Sequence, residues 1–93
     1  MANQLHVELV AVEEKVWSGD AEMVIARTTE GELGVLPGHA PLLGQLAEPG
    51  QVRVRVGGGE QLVYDVAGGF VSVTADGVTI LAEGATPAAV AAR

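Results

Sequence analysis

The side chains that could act in catalysis are few and far apart in this sequence. Its 93 residues include two histidines, His6 and His39, and no cysteine. A zinc site needs several His, Cys or carboxylate ligands, and a chain without cysteine has few residues that could provide them. The two serines, Ser18 and Ser72, lack the Gly-X-Ser-X-Gly context of a nucleophile elbow. These residue types therefore favour neither acyl transfer nor metal chemistry.

Paired carboxylates and Gly-rich stretches are the other features that could carry chemistry. Glu13 and Glu14 are adjacent, and Glu30 and Glu32 flank a glycine. The simpler interpretation of the first pair is a solvated turn. None of the Gly-rich stretches has the spacing and the lysine of a phosphate-binding P-loop, so their glycines are expected to serve turns. From its residues alone, the chain is predicted not to be an enzyme and to hold no cofactor.

Each histidine has a structural and a functional interpretation. His6 lies on the polar face of an alternating segment, which favours a solvated strand histidine over a ligand. His39 lies in a segment that contains two prolines, where it could orient backbone or contact a partner, or else act as a general base or metal ligand. Structural or interface duty is the favoured role. Trp17 likewise either covers the end of a core or anchors a partner.

Charge and hydropathy exclude several classes of function. Twelve Asp and Glu face five Lys and Arg, for a formal net charge of −7. This charge repels nucleic acids and anionic lipids. Apolar residues make up 48% of the chain, more than a disordered acidic tail contains. No apolar run is long enough to span a membrane, and the N-terminus has no secretory signal pattern. We expect a cytoplasmic protein, without direct lipid insertion, held at any membrane by another protein.

The hydrophobic pattern has a period of two along most of the chain, which is typical of strands with one buried face. Gly57-Gly58-Gly59 and Asp76-Gly77 are the composition expected of hairpin turns, the second as a type I′ pair. The alternation predicts an all-β antiparallel sandwich or flattened barrel. Its strands are expected near 4–12, 15–28, 42–47, 51–57, 61–67, 70–75 and 77–83.

Two segments interrupt this rhythm. Residues 29–34 are predicted to form a turn, followed by a proline-containing loop over 35–41. That loop either folds onto the core or faces a partner. Near the end, Thr86 and Pro87 resemble the start of a helix, so residues 85–93 are expected to be helical or disordered.

One long run resembles the signature of a known family, the ε subunit of bacterial F-type ATP synthase. It reads Glu30-Gly31-Glu32-Leu33-Gly34-Val35-Leu36-Pro37-Gly38-His39-Ala40-Pro41-Leu42-Leu43. Further similarity appears in order over 5–10, 16–19, 68–70 and 78–83, so that the resemblance covers residues 4–83. Trp17 and the run 27–29 are most similar to actinobacterial members.

The resemblance implies a flattened ten-stranded β-sandwich, here residues 1–84, followed by a helical hairpin of which 85–93 would be a remnant. It also implies a non-catalytic rotor subunit in the central stalk, at the cytoplasmic face of the bacterial plasma membrane. Such a subunit couples proton flow to ATP synthesis and has two partners. By motif, Glu30, Gly31 and Glu32 would face basic residues in the polar loops of the c-ring. His39, Ala40, Pro41 and Leu42 would contact the γ subunit.

The same residues have simpler roles as alternatives. Glu32 would be an ordinary turn carboxylate, and the 39–42 segment a loop closing the end of the core. Residues 86–93 are too few to form the family's inhibitory or ATP-binding hairpin, so neither property is expected of them. The alternative function is a free-standing sandwich that binds a small ligand. It would require His39, Asp65 and Arg27 to converge on a pocket.

Overall fold

The computed structural model describes residues 4–87. Ten strands fill this part of the chain. They are β1 (Leu5–Ala11), β2 (Glu14–Ala21), β3 (Met23–Thr28), β4 (Gly31–Val35), β5 (Leu42–Gln45), β6 (Gly50–Arg55), β7 (Gln61–Val66), β8 (Gly69–Thr74), β9 (Gly77–Ala82) and β10 (Ala85–Pro87). A single 3-10 turn, Gly57–Gly59, joins β6 to β7. The predicted all-β fold with ten strands is confirmed.

The strands form two five-stranded sheets packed face to face. Sheet A has the order β2-β1-β9-β8-β5, and sheet B has the order β10-β7-β6-β3-β4. Every pairing between these strands is antiparallel except that of β1 with β9, which is parallel. Parallel neighbours need a long crossover, and here the chain between β1 and β9 builds most of the sandwich.

The core lies between the sheets and consists of the inward positions of each strand. Its buried members are Leu5, Val7, Leu9, Ala21, Val24, Ala26, Val35, Leu46, Val52, Val54, Tyr64, Val66, Val71, Val73, Val78, Ile80 and Ala82. Valine dominates because β-branched side chains fit a pleated, buried surface. Trp17 is half-buried against this core, which agrees with its role as a cover for the core's end.

The single strand predicted over 15–28 is wrong. The chain bends at Glu22, whose amide N–H donates to the Arg55 carbonyl at 2.7 Å. β2 pairs with β1 in sheet A, whereas β3 pairs with β4 and β6 in sheet B. A sandwich bends a strand at such a corner because continuing straight would carry the chain out of both sheets.

Two further expectations fail where strand pairing overrides local composition. Only Thr29 and Glu30 form a turn, because Gly31–Val35 pairs with β3. Thr86 does not cap a helix, since Ala85–Pro87 pairs with the edge of β7. Pro87 is tolerated there because an edge strand leaves some backbone amides unpaired. The part of the predicted helical remnant over 88–93 lies outside the described residues.

Two glycines allow strands to approach more closely than a side chain would permit. Gly69 has φ +117° and lies against the Leu81 carbonyl, and Gly77 has φ +149° and lies against the His6 carbonyl. Both begin strands of sheet A. The hairpin predicted at Asp76-Gly77 forms one residue earlier, because its two loop residues are Ala75 and Asp76 and Gly77 already pairs with Thr74.

Within residues 4–87, no helix is long and apolar enough to cross a membrane.

Candidate functional site

The acidic segment Glu30–Glu32 lies at the tip of the β3–β4 hairpin. Thr28 pairs with Gly31, and Glu30 is one of the two loop residues between them. The Thr28 hydroxyl donates to the Gly31 carbonyl at 2.7 Å and accepts from the Glu30 amide at 3.2 Å. Gly31 has φ +120°, a conformation that L side chains rarely adopt. The carboxylates of Glu30 and Glu32 are therefore presented to solvent on a fixed turn.

This hairpin tip is tied to the end of β5 in the other sheet. The Thr29 amide donates to the Gln45 carbonyl at 2.9 Å, and the Ala47 amide donates to the Arg27 carbonyl at 2.9 Å. An isolated bridge between Thr28 and Leu46 lies between these bonds. The two sheets are thus joined at one corner, and the acidic tip has a rigid support.

The segment His39–Leu42 lies at the opposite end of β5. A turn holds it, in which the His39 amide donates to the Leu36 carbonyl at 3.1 Å. The His39 Nδ1 lies 2.7 Å from the Ala40 carbonyl. Because a carbonyl only accepts, that nitrogen carries the proton. Ala40 and Pro41 are exposed, so the loop presents backbone and small apolar groups.

Leu42 and Leu43 face opposite sides of sheet A. Leu42 packs against the core, whereas Leu43 is 72% exposed. The motif predicts a partner contact at Leu42 but not at Leu43, which is the exposed leucine. The signal was present, since apolar residues at consecutive positions of a strand indicate that both of its faces are apolar.

Leu43 belongs to a group of apolar side chains on the outer face of sheet A, which we call the outer stripe: Val10, Leu43, Phe70 and Leu81. Val10 pairs with Leu81, and Leu81 with Phe70, so three adjacent strands align these side chains in one row. Phe70 and Leu81 are 49% and 50% exposed. On the next strand, β5, Gln45 is the residue opposite Phe70, and Leu43 lies diagonally from Phe70. Contiguous exposed apolar groups of this kind mark an interaction surface.

A charged cluster borders the outer stripe on the same face. The His6 Nε2 lies 3.1 Å from a Glu8 carboxylate oxygen, and its Nδ1 lies 3.5 Å from Asp20. Hydrogen bonding to Glu8, and then to Asp20, raises the pKa of His6 above 6.5. Hydrogen bonding to His6, together with the charge of Lys15, lowers the pKa of Glu8 below 4.5. The cluster is surface-exposed. Among residues 4–87, no three His, Asp or Glu side chains are placed so that they could hold a metal ion together.

The three residues required by the ligand-binding alternative do not converge. His39 lines a cleft of about 340 Å³ beside the β8–β9 turn. Asp65 lines a separate groove at the β7–β10 edge. Arg27 lies on the outer face of sheet B, where Glu32 is its partner in the strand register. The arrangement therefore offers no common site for these side chains, which weakens the alternative.

The described residues form a two-layer β-sandwich with an exposed apolar stripe on one outer face, a surface of the kind that binds other proteins. Residues 4–88 match the model of the ATP synthase delta/epsilon chain, β-sandwich domain. The chain belongs to this family. The resemblance predicted from the sequence is thereby confirmed.

Several relatives are ATP synthase epsilon chains of actinobacteria. The chain is 60% identical to that of Rhodococcus jostii over 82 residues, covering 88% of this chain and 67% of the relative. It is 62% identical to that of Frankia casuarinae over 79 residues, covering 85% and 92% respectively. The expected similarity to actinobacterial members is confirmed.

A chain in the structure of the Euglena gracilis mitochondrial ATP synthase, OSCP/F1/c-ring, has the same fold. The TM-score is 0.87 at 34% identity, and the match covers 94% of this chain and 55% of that one. The chain thus spans about half the length of its structural neighbour and about two thirds of its Rhodococcus relative.

Proposed function

We propose that this chain is a non-catalytic rotor subunit of an ATP synthase, which joins the γ subunit to the c-ring in the central stalk. Proton flow through the ring would turn γ, and the sandwich would transmit torque between the two. Such an adaptor requires rigidity and two separate contact surfaces. The observation that carries the proposal is the position of the acidic tip and the His39–Leu42 loop at opposite ends of the short strand β5.

The γ subunit is assigned to His39, Ala40, Pro41 and Leu42, extended by the outer stripe. Leu42 would contribute to the γ contact indirectly, because its packing on the core fixes the backbone position of the exposed Leu43. A partner that covers Leu43, Phe70 and Leu81 removes large apolar side chains from water. Each fully buried side chain of this size stabilises a complex by about 1.5–3 kcal/mol before association costs.

The c-ring is assigned to Glu30, Gly31 and Glu32. Two exposed carboxylates on a fixed turn complement basic loops electrostatically and favour correct encounter more than raw affinity. Gly31 supports this role because its positive φ sets the turn that presents both carboxylates. The subunit would be peripheral, at the cytoplasmic face of the plasma membrane, and held there by the complex.

Reconstitution tests this function. ATP synthase depleted of its own ε subunit is supplemented with the full chain in lipid vesicles, and ATP-driven proton pumping is measured. We expect the chain to join the complex and to restore pumping. If the folded chain does not co-purify with the complex, the rotor assignment is wrong.

A further inference from the structure

The outer face of sheet B carries three arginines that neither contact surface uses. Arg27 lies on β3, and Arg53 and Arg55 lie on β6, all at positions that alternate with buried core residues. β3 and β6 are neighbours, and Arg53 is opposite Ile25. Arg53 and Arg55 are two residues apart along β6, and Arg27 lies diagonally from Arg53 on β3. We call these three side chains the arginine diagonal.

The arginine diagonal contains most of the basic side chains of an acidic protein. Two carboxylates share the face, Glu32 opposite Arg27 and Asp65 opposite Gln51. Among residues 4–87, the basic side chains are those of the arginine diagonal and Lys15. Lys15 lies in sheet A and is 3.7 Å from Glu8. In the same described range, the three arginines form no ion pair. Arg53 instead donates from Nε to the Gln51 side chain at 3.1 Å, and Gln51 in turn donates to Asp65 at 3.4 Å.

The spacing of the arginine diagonal suits a segment of polypeptide. Two residues along a strand span about 7 Å and adjacent strands lie about 4.8 Å apart, so Arg27 is about 8 Å from Arg53 and about 14 Å from Arg55 at the backbone. Carboxylates at alternate positions of an extended chain span the same length. Met23, Ile25 and Val63 are half-buried beside the arginines and offer apolar contacts between the charges.

We propose that the outer face of sheet B binds an acidic polypeptide segment, whose carboxylates pair with Arg27, Arg53 and Arg55. This contact is separate from the γ contact, because it uses the opposite sheet from the outer stripe. It borders the c-ring contact, since Arg27 lies opposite Glu32 on the neighbouring strand β4. A polypeptide is favoured over nucleic acid or an anionic membrane for two reasons. The net charge of −7 opposes partners of high charge density, such as nucleic acid and anionic lipid, more than a segment that carries three carboxylates. The half-buried apolar residues match a chain with side chains of its own.

The probe is a synthetic peptide of about twelve residues with three Glu at alternate positions and no other charged side chain, titrated into the full chain at low salt. We expect amide chemical-shift changes centred on Ile25, Arg53 and Val63. Each of Arg27→Gln, Arg53→Gln and Arg55→Gln should weaken binding about threefold, as for an exposed ion pair, and the triple variant should abolish it. High salt should weaken binding as well.

Lys15→Gln is the matched control, because it removes the same charge from sheet A and should leave the peptide affinity unchanged. Equal losses in Lys15→Gln and the arginine variants would overturn the proposal, as would shifts centred on sheet A. Absence of any binding at low salt by the folded parent would also overturn it. Phosphatidylglycerol vesicles provide the last arm. Binding to them that depends on the arginines, without binding to the peptide, would assign the face to lipid instead.

Discussion

Leu42 and Leu43 are consecutive residues with opposite environments. Leu42 pairs with the buried Val73 and packs on the core, whereas Leu43 pairs with Ser72 and is 72% exposed. The same short strand thus contributes to the stability of the sandwich through one leucine and to its outer stripe through the next. Substitutions at these two positions should have separable effects.

Leu42→Asp should destabilise the fold, and Leu43→Asp should not. A carboxylate at position 42 would enter the edge of an apolar core without a partner, at a cost of about 2 kcal/mol or more. At position 43 it would point into solvent, with a change within about 0.5 kcal/mol. Urea denaturation of both variants measures the difference. Equal loss of stability in the two would show that Leu43 is also a core residue.

Gly77→Ala should lower stability by about 2–3 kcal/mol, because it combines an unfavourable positive φ with a clash. The new methyl group would meet the His6 carbonyl and force β9 away from β1. Gly84→Ala is the control, since Gly84 has no neighbour within 4 Å of that position and no positive φ. Thermal unfolding compares them. Similar melting temperatures for the two variants would contradict the close strand approach.

The His6 cluster should make stability depend on pH. The folded pKa of His6 lies above 6.5, so the stabilisation by its protonated form is full below the unfolded value of about 6.5. This contribution is lost as pH rises through the folded pKa. In acid, protonation of Glu8 below its unfolded pKa of 4.5 weakens the pair from the other side.

An NMR titration of the His6 ring tests this cluster. Glu8→Gln should lower the His6 pKa toward 6.5, and Asp20→Asn should lower it by less, because Glu8 is the larger cause of the shift. Lys15, the other charged neighbour, is kept in both variants. A His6 pKa that does not respond to either substitution would show that the contacts do not persist in solution.

Glu32→Lys should impair coupling in the reconstituted synthase without unfolding the chain. Glu32 is exposed, and the new lysine would lie opposite Arg27, so the melting temperature should fall only modestly. Charge reversal at the acidic tip would oppose basic loops and reduce ATP-driven proton pumping several-fold. Glu60→Lys, in the β6–β7 loop, makes the same charge change elsewhere and should pump normally. Equal pumping by both variants would remove the tip from the c-ring contact.

The alternation of apolar residues was enough to predict most strands. Val52 and Val54 alternate with arginines and predict β6 correctly, and Gly57–Gly59 predicts the turn that follows. The strand predictions fail where pairing with a strand distant in sequence determines the local structure. Nothing local distinguishes Glu22 as a corner, because the bend depends on pairing with Arg55 in another strand. Gly34 has low strand propensity, yet β4 forms because it pairs along β3.

The candidate site was predictable only in part. The acidic tip and the His39–Leu42 segment could be predicted because both lie in one contiguous motif. The outer stripe is instead assembled from four separate strands. Val10, Leu81 and Phe70 come into register only through the pairings of β1, β9 and β8. A single sequence reveals that these strands are apolar on both faces but not that the outward residues align.

Binding to the isolated γ subunit tests the central claim most directly. Calorimetry would compare the parent with Leu43→Asp and with Gln61→Asp, which adds the same charge to the outer face of sheet B. We expect the parent and Gln61→Asp to bind γ equally. Leu43→Asp should bind at least about tenfold more weakly, corresponding to about 1.4 kcal/mol. Unchanged affinity in a folded Leu43→Asp variant, or no binding by the parent, would contradict the assignment of γ to the outer stripe.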